Sequence, residues 1–595
     1  MYLGALYTRR SVLTERVRGL GLLVVLAGCG GSGANVDGSR GAAKNGGSQS
    51  LAGAGALVAS GVGSLSGASN GGVASSGGAA SSGGAGGASA GTTSGAAASL
   101  GGMSNGDAGA PPTRGGRSSG GVAGANTAGN GAAASSTASA GAGGTAPLGA
   151  LTVSNLKLDP NPKMTLGCYV SWTTSAPANS EVQFGSAGYQ FHTAFAEQTT
   201  EHKVYVVGMH PQTAYQIKAV STSDTATGSA EATFTTGAVP ANLPKANLLA
   251  SQPDKMQPGW TLTNIQLGGS SSLSNQPGII VILDEQALPV WYYVHGTTAD
   301  QYGMTSTDWL PNGHVLVGNA SAEPAVEVDL EGNVVWTGPT GGTPAASHHT
   351  GKLKNGDYAI VRESNASARV EELSPDNKVV WSWDLYDHLK PKTSAADWCH
   401  LNSVTFDEVN DFLYFNCRFQ GLFKVKRSDK SIVWQLGAAI DDSHSGDITY
   451  LPDNSARFND SHDPEIHDDG SILFYDNQGW SQHTGGEGNG SYHTRVVEYH
   501  LDESSKAATL TWEFPGSFNV DAWYKNDWST PIWGDADRLT NTNVLVTAGV
   551  HGAGEKTRIF EVTRTGEVAW AMEWPENDGS YRADRIEDPP ARKLP

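Results

Sequence analysis

The stretch "VEVDLEGNVVW", residues 326–336, decides the fold. Val326 and Val328 flank Glu327 in strand alternation, a polar turn with Gly332 follows, and a second strand ends in Trp336. The same unit recurs as "VILDEQALPVW", "VEELSPDNKVVW", "FKVKRSDKSIVW", "VVEYHLDESSKAATLTW" and "IFEVTRTGEVAW", ending in Trp291, Trp381, Trp434, Trp512 and Trp570. Between these units lies a second hairpin: "WLPNGHVLVG", "KLKNGDYAIV", "FDEVNDFLYF", "IHDDGSILFY" and "RLTNTNVLVT". Its Asn-Gly and Asp-Gly pairs favour tight turns. Two hairpins per repeat make a four-stranded sheet, and six such repeats predict a six-bladed β-propeller over about 241–595. No helical periodicity fills the gaps, which excludes an α/β reading. The six tryptophans are expected to pack blade on blade.

Three histidines hold one position in this repeat. His348 in "HHTGKLKNG" and His462 in "HDPEIHDDG" each stand eight residues before the turn glycines Gly356 and Gly470. His400 in "HLNSVTFDEVND" stands at the matching start of its hairpin. The first strand of a blade lines the central channel, so these side chains are expected to ring one mouth of it. Pairing "HLNSVTF" with "FLYFNCR" sets Phe406 against Phe412 and His400 against Arg418, with Asn402 on the face of His400. Cys399 and Cys417 then lie on the other face as diagonal neighbours, close enough for a disulfide, with two buried thiols as the alternative.

The segment "SHDPEIHDDGS", residues 461–471, has the composition of a metal site but not the geometry. His462 and His467 are five apart, which is roughly 16 Å along a strand and on opposite faces. On a helix they stand about 140° apart. No metal is expected, and His467 with Asp468 belongs to the turn.

The rest of the chain is of three kinds. Residues 1–28 read as an export signal: basic "YTRRSVLTERVRG", apolar "LGLLVVL", then "LAGC" ending at Cys29. This resembles a bacterial lipoprotein box with Cys29 as the lipidated residue; "TRRS" also weakly resembles a twin-arginine signal. Residues 29–147, almost wholly Gly, Ala, Ser, Thr and Asn after Cys29, predict a disordered tether, since such a chain buries too little apolar surface to offset its ordering entropy. Residues 148–237 predict a small β-sandwich. Its "MHPQTAYQIKAVS" (209–221) resembles the fibronectin type III pattern, with Tyr215 as corner tyrosine and Trp172 as core tryptophan. That module suggests a spacer or docking role. The formal charge of −20 argues against nucleic acid as a partner.

"HHTGKLKNGDYAIV", "DWCHLNSVTF…FNCRFQG", "SHDPEIHDDGSILFYDNQ", "WGDADRLTNTNVLVTAG" and "RIFEVTRTGEVAW" together resemble the bacterial arylsulfate sulfotransferases, over about 245–590. The resemblance implies an exported six-bladed propeller preceded by a β-sandwich. It implies transfer of a sulfuryl group from an aryl sulfate to a phenol through a sulfohistidine, without the nucleotide sulfate donor and without a cofactor. On it, His462 is the nucleophile, His400 and Asn402 match sulfate-binding and acid–base positions, and Arg418 matches a sulfate-binding arginine. The "HHTG" histidine matches a further site position, with repeat register favouring His348 over His349. Thr350 follows this pair where the family commonly has an acidic residue. A lipid on Cys29 would hold the enzyme on the periplasmic or cell-surface side of a bacterial membrane.

These residue types suit that chemistry. A neutral imidazole is a good nucleophile near pH 7 and a fair leaving group afterwards. Arginine offers planar paired donors to sulfuryl oxygens, and a second histidine can protonate the departing phenolate. Two other classes compete: a binding or adhesion propeller on a stalk, and a quinone- or metal-dependent oxidoreductase. The first gives no reason for histidines and an arginine at convergent positions, and the second needs a ligand set that the spacing does not supply. Tyr475, Trp480, Trp523 and Tyr524 are aromatic candidates for stacking on an aryl group, with blade or loop packing the favoured alternative for each.

Overall fold

The computed structural model describes residues 150–267, 278–295, 306–318, 324–340, 346–364, 367–389, 398–437, 448–452, 457–478, 494–520, 530, 533–549 and 556–594. The expected signal, Cys29 and the tether lie outside these residues, as do Trp480, Trp523 and Tyr524. The described chain is all-β apart from the single helical turn Leu385–His388.

The sheets are the blades the repeat predicts. Thr307–Trp309, Val315–Val317, Val326–Val328 and Val334–Thr337 pair in chain order as the second blade. The third runs from Ala346–Lys352 to Val379–Asp384, the fourth from Leu401–Asp407 to Ile432–Leu436. The fifth opens with His462–Ile466 and carries an extra strand, Thr449–Leu451, running parallel to its outer edge. The sixth opens with Asp535–Arg538. The leading strands of neighbouring blades lie side by side and form the inner wall.

Two pairings close the ring. The first blade contributes Trp260–Ile265, Gly278–Leu283 and Pro289–His295, and its inner strand is Ala583–Ile586 from the far end of the chain. In the other direction Asn247–Ser251 joins the outer edge of the sixth blade. The blade tryptophans bind the seams. The indole N–H groups of Trp291, Trp381, Trp512 and Trp570 donate to Leu330, Arg427, Arg564 and Glu285 carbonyls in the next blade round. Trp336 instead stacks on Tyr358 of the third blade, rings 3.6 Å apart.

The N-terminal module is built on one long strand, Cys168–Gly185: its first half pairs with Val153–Pro160 and the end of Phe191–Val206, its second half with the start of Phe191–Val206 and with Ala214–Thr222. Trp172 is buried against His202, and the Tyr215 hydroxyl accepts from the His210 N–H at 2.8 Å. Cys168 is a free thiol in this core, its pKa pushed up to about 12 by burial. The module is packed on the propeller: Leu166, Val207 and Met209 share an apolar core with Trp260, Tyr292 and Val328. His210 meets Asp284 at 2.7 Å, and Arg592–Lys593 adds a short strand to the module's edge.

Candidate active site

The histidines stand where the leading strands begin, and each sits beside a register shift in its hairpin. Pairing slips between Ala346 and Thr350, between Leu401 and Ser403, and between His462 and Glu465. Such a bulge re-aims side chains at a strand end. His348 and His400 adopt the left-handed region, φ 52° and 54°, which a non-glycine residue holds only where its surroundings impose it. Their rings meet edge to face at 4.9 Å. Tyr581, just ahead of the closing strand Ala583–Ile586, lies 6.4 Å from the His348 ring and 6.1 Å from the His462 ring.

The bulge corrects one expected pairing. Phe406 faces Leu413, and Asp407 faces Phe412. The extra residue at Asn402 absorbs the offset, so Leu401 faces Cys417 and the Arg418 N–H donates to the His400 carbonyl at 2.9 Å. Cys399 and Cys417 form a disulfide, with Cα atoms 4.7 Å apart. It clamps the two strand ends that carry His400 and Arg418.

His462 is fully buried. Its Nδ1 lies 2.7 Å from Asn477 Oδ1, and its Nε2 has no hydrogen-bond partner among the described residues. Burial holds its pKa well below the ordinary histidine value; Arg418, His400 and His348 push the same way, against the Asn477 bond. Arg418 is buried with its guanidinium 5.1 Å over the Phe419 ring, and the His400 ring is 5.6 Å from Phe419. Asp460 is pushed up to about 6 by burial, opposed by Arg418 and His400.

Asn402 takes a position the sequence did not anticipate. Asn402 donates through Nδ2 to the Ser461 carbonyl at 2.9 Å and accepts from Asn416 through Oδ1. Asn416 donates to the same carbonyl. These amides pin the residue before His462. His349 and His348 part company. His348 faces His400 and Glu363, with Oε2 at 4.0 Å, whereas His349 Nδ1 accepts from the Val404 N–H and lies 3.4 Å from Arg582 Nη1. Arg582 also donates to the Asn402 carbonyl and pairs with Asp463 at 2.9 Å, tying the closing strand to the fourth and fifth blades. Tyr475, which faces His462 across its hairpin, is fully buried with its hydroxyl on Thr530 and so serves packing. His467 lies in the turn, its pKa lowered to about 4 by burial.

Sequence reasoning missed Asn477, Asp460, Tyr581 and Arg582. The first two were within reach, because extending the 462–475 pairing outward sets 460 against 477. Tyr581 and Arg582 carried no signal, since nothing local ties the C-terminal segment to the first blade. It also missed an acidic group on the leading strands of the sixth and first blades: carboxylate oxygens of Asp535, Asp537 and Asp584 lie within 4.8 Å of one another, a spacing that suits a cation. Burial raises the pKa of all three.

Fold and cluster together define a six-bladed propeller with a buried histidine–arginine site where its inner strands begin. The sequence model of the arylsulfotransferase (ASST) family matches residues 245–582, and the chain belongs to that family. No curated protein matches significantly. Among solved structures, the chain resembles a β-propeller domain from Myceliophteria thermophila at 12% identity, covering 56% of this chain and 90% of that one, TM-score 0.31. It also resembles virginiamycin B lyase from Staphylococcus aureus at 10% identity, covering 52% and 88%, TM-score 0.28.

Proposed function

We propose that the protein transfers a sulfuryl group from an aryl sulfate to a phenol, with His462 carrying it between the two. One observation supports this most: His462 is buried beside Arg418, His400 and His348, its pKa held well below the ordinary histidine value by that burial, with no hydrogen-bond partner on Nε2 among the described residues. The lone pair of Nε2 attacks sulfur, the N–S bond forms, and the S–O(aryl) bond breaks with its electron pair on the phenolate oxygen. His400 gives that oxygen a proton. In the second half the acceptor phenol loses its proton to His400, its oxygen attacks sulfur, and the N–S pair returns to Nε2. Arg418 binds the sulfuryl oxygens through paired donors, and His348 adds a donor where charge collects. The reaction needs no cofactor. In the same reading the chain is exported and held to a bacterial membrane by a lipid on Cys29.

Incubation with a chromogenic aryl sulfate and no acceptor should leave a sulfuryl group on His462, and added phenol should discharge it with ping-pong kinetics. His462→Asn should lose both half-reactions, and Arg418→Lys should be poor because an ammonium lacks the planar fork. Transfer by His462→Asn at the wild-type rate would move the nucleophile elsewhere. If folded wild-type protein consumes no aryl sulfate, a binding propeller replaces this reading.

A further inference from the structure

We propose that Asn477 is the positioning residue that fixes His462 as its Nδ1–H tautomer, presenting the Nε2 lone pair to sulfur, and that its neutrality keeps the sulfurylated imidazole a ready donor. The inference rests on the proposed transfer through His462. Its geometric basis is independent of that chemistry. Asn477 Nδ2 lies 2.8 Å from both the Thr530 and Trp533 carbonyls, which only accept. The atom facing them is therefore the amide nitrogen, and the atom facing His462 is Oδ1. An amide oxygen also only accepts, so Nδ1 must carry the proton in the 2.7 Å contact. In neutral imidazole this leaves Nε2 bare. Asn477 is fully buried, and its two carbonyl partners hold its amide plane in place.

The charge of the partner matters as much as its direction. When Nε2 takes the sulfuryl group, Nδ1 keeps its proton and the ring becomes cationic. A carboxylate at this position would stabilise that cation, as it does an imidazolium in a catalytic triad, and so would slow its discharge. An amide accepts the same hydrogen bond without a full negative charge. The nearby carboxylates are engaged elsewhere. Asp463 pairs with Arg582 and bonds Asp535, Asp476 pairs with Arg495, and Asp460 interacts with Arg418 and His400. Among the described residues, the other groups facing His462 are Arg418, His400, His348 and the Tyr581 ring, and the first three disfavour ring protonation.

Nitrogen NMR of histidine-labelled wild-type protein, with the His462 signals assigned by their loss in His462→Asn, should show Nδ1 protonated and Nε2 bare. An Nε2–H tautomer would overturn the inference without touching the transfer reaction. Asn477→Ala should lower kcat about 10- to 100-fold with little change in donor KM. Asn477→Asp should move the acid limb of kcat/KM up by about one pH unit or more and slow phenol-dependent discharge more than loading. Thermal unfolding is measured first, because a carboxylate there faces two carbonyls; if that variant does not fold, the NMR result and Asn477→Ala decide. Wild-type kinetics with unchanged discharge in both variants would sink the inference, whereas absence of any sulfurylated His462 after incubation of wild type with aryl sulfate would sink the transfer reading instead.

Discussion

His462 owes its proposed chemistry to being buried among potential cations. A histidine removed from water loses solvation of its charged form, and a neighbouring guanidinium adds repulsion, so the neutral ring persists below the usual titration range. A depressed pKa means the free base is present at and above pH 6.5 and lost only at lower pH. The acid limb of kcat/KM for an aryl sulfate should therefore lie below pH 6.5, measured by initial rates across pH. In the proposed transfer His400 has the opposite task of holding and moving a proton. His400→Ala should cost least with donors whose phenolate leaves easily and most with poor leaving groups, so a plot of log kcat/KM against phenol pKa should steepen. An unchanged slope would remove His400 from proton transfer.

The hairpin is the element that assembles half of the site. Leu401–Asp407 and Phe412–Cys417 bring His400 and Arg418 to one end, and the bulge at Asn402 shifts the register there so that Leu401 faces Cys417. The Cys399–Cys417 disulfide closes a loop with sequence separation 18 across the same ends. Closing a loop of this length restricts the unfolded chain by about 3 kcal/mol. Cys399→Ser should therefore lose stability of about that size in denaturant titration. It should also raise donor KM, because Arg418 and His400 lose their shared clamp. A stability loss with unchanged KM would limit the disulfide to the fold. Glu363 adds a crossing tie, accepting from the Leu401 N–H at 2.6 Å while facing His348.

For the whole molecule, ring closure and site assembly are one event. The chain's last segment supplies the first blade's inner strand, and just ahead of it come Tyr581 against two histidines and Arg582 bound to the fourth and fifth blades. The seam between the sixth and first blades is bridged by Trp570, fully buried, whose N–H reaches the Glu285 carbonyl at 2.9 Å. Trp570→Phe keeps most of the apolar volume and should cost about 1 kcal/mol for the lost hydrogen bond. Trp570→Ala leaves a cavity and should cost about 3–5 kcal/mol. Both are read from the unfolding midpoint, and comparable losses for the two would show that the indole N–H, not its volume, holds the seam.

What the sequence determined by itself was periodic or local. Strand alternation, turn glycines and a tryptophan every 45 to 78 residues set six blades, and a constant offset from the turn set His348, His400 and His462 on one position. Hairpin register follows from the turn to within a residue, which is why His400 and Arg418 were legible together while Phe406 was paired one place off. Tertiary structure alone decided the rest. It turned Asn402 onto Ser461, set His349 against Val404 and Arg582, and brought Tyr581 and Arg582 against the histidines and the fourth and fifth blades. Those outcomes depend on contacts between blades, made by residues up to hundreds of positions apart. Such contacts leave no periodic trace in the chain, because they are fixed by how the closed ring packs and not by the turn that starts each strand.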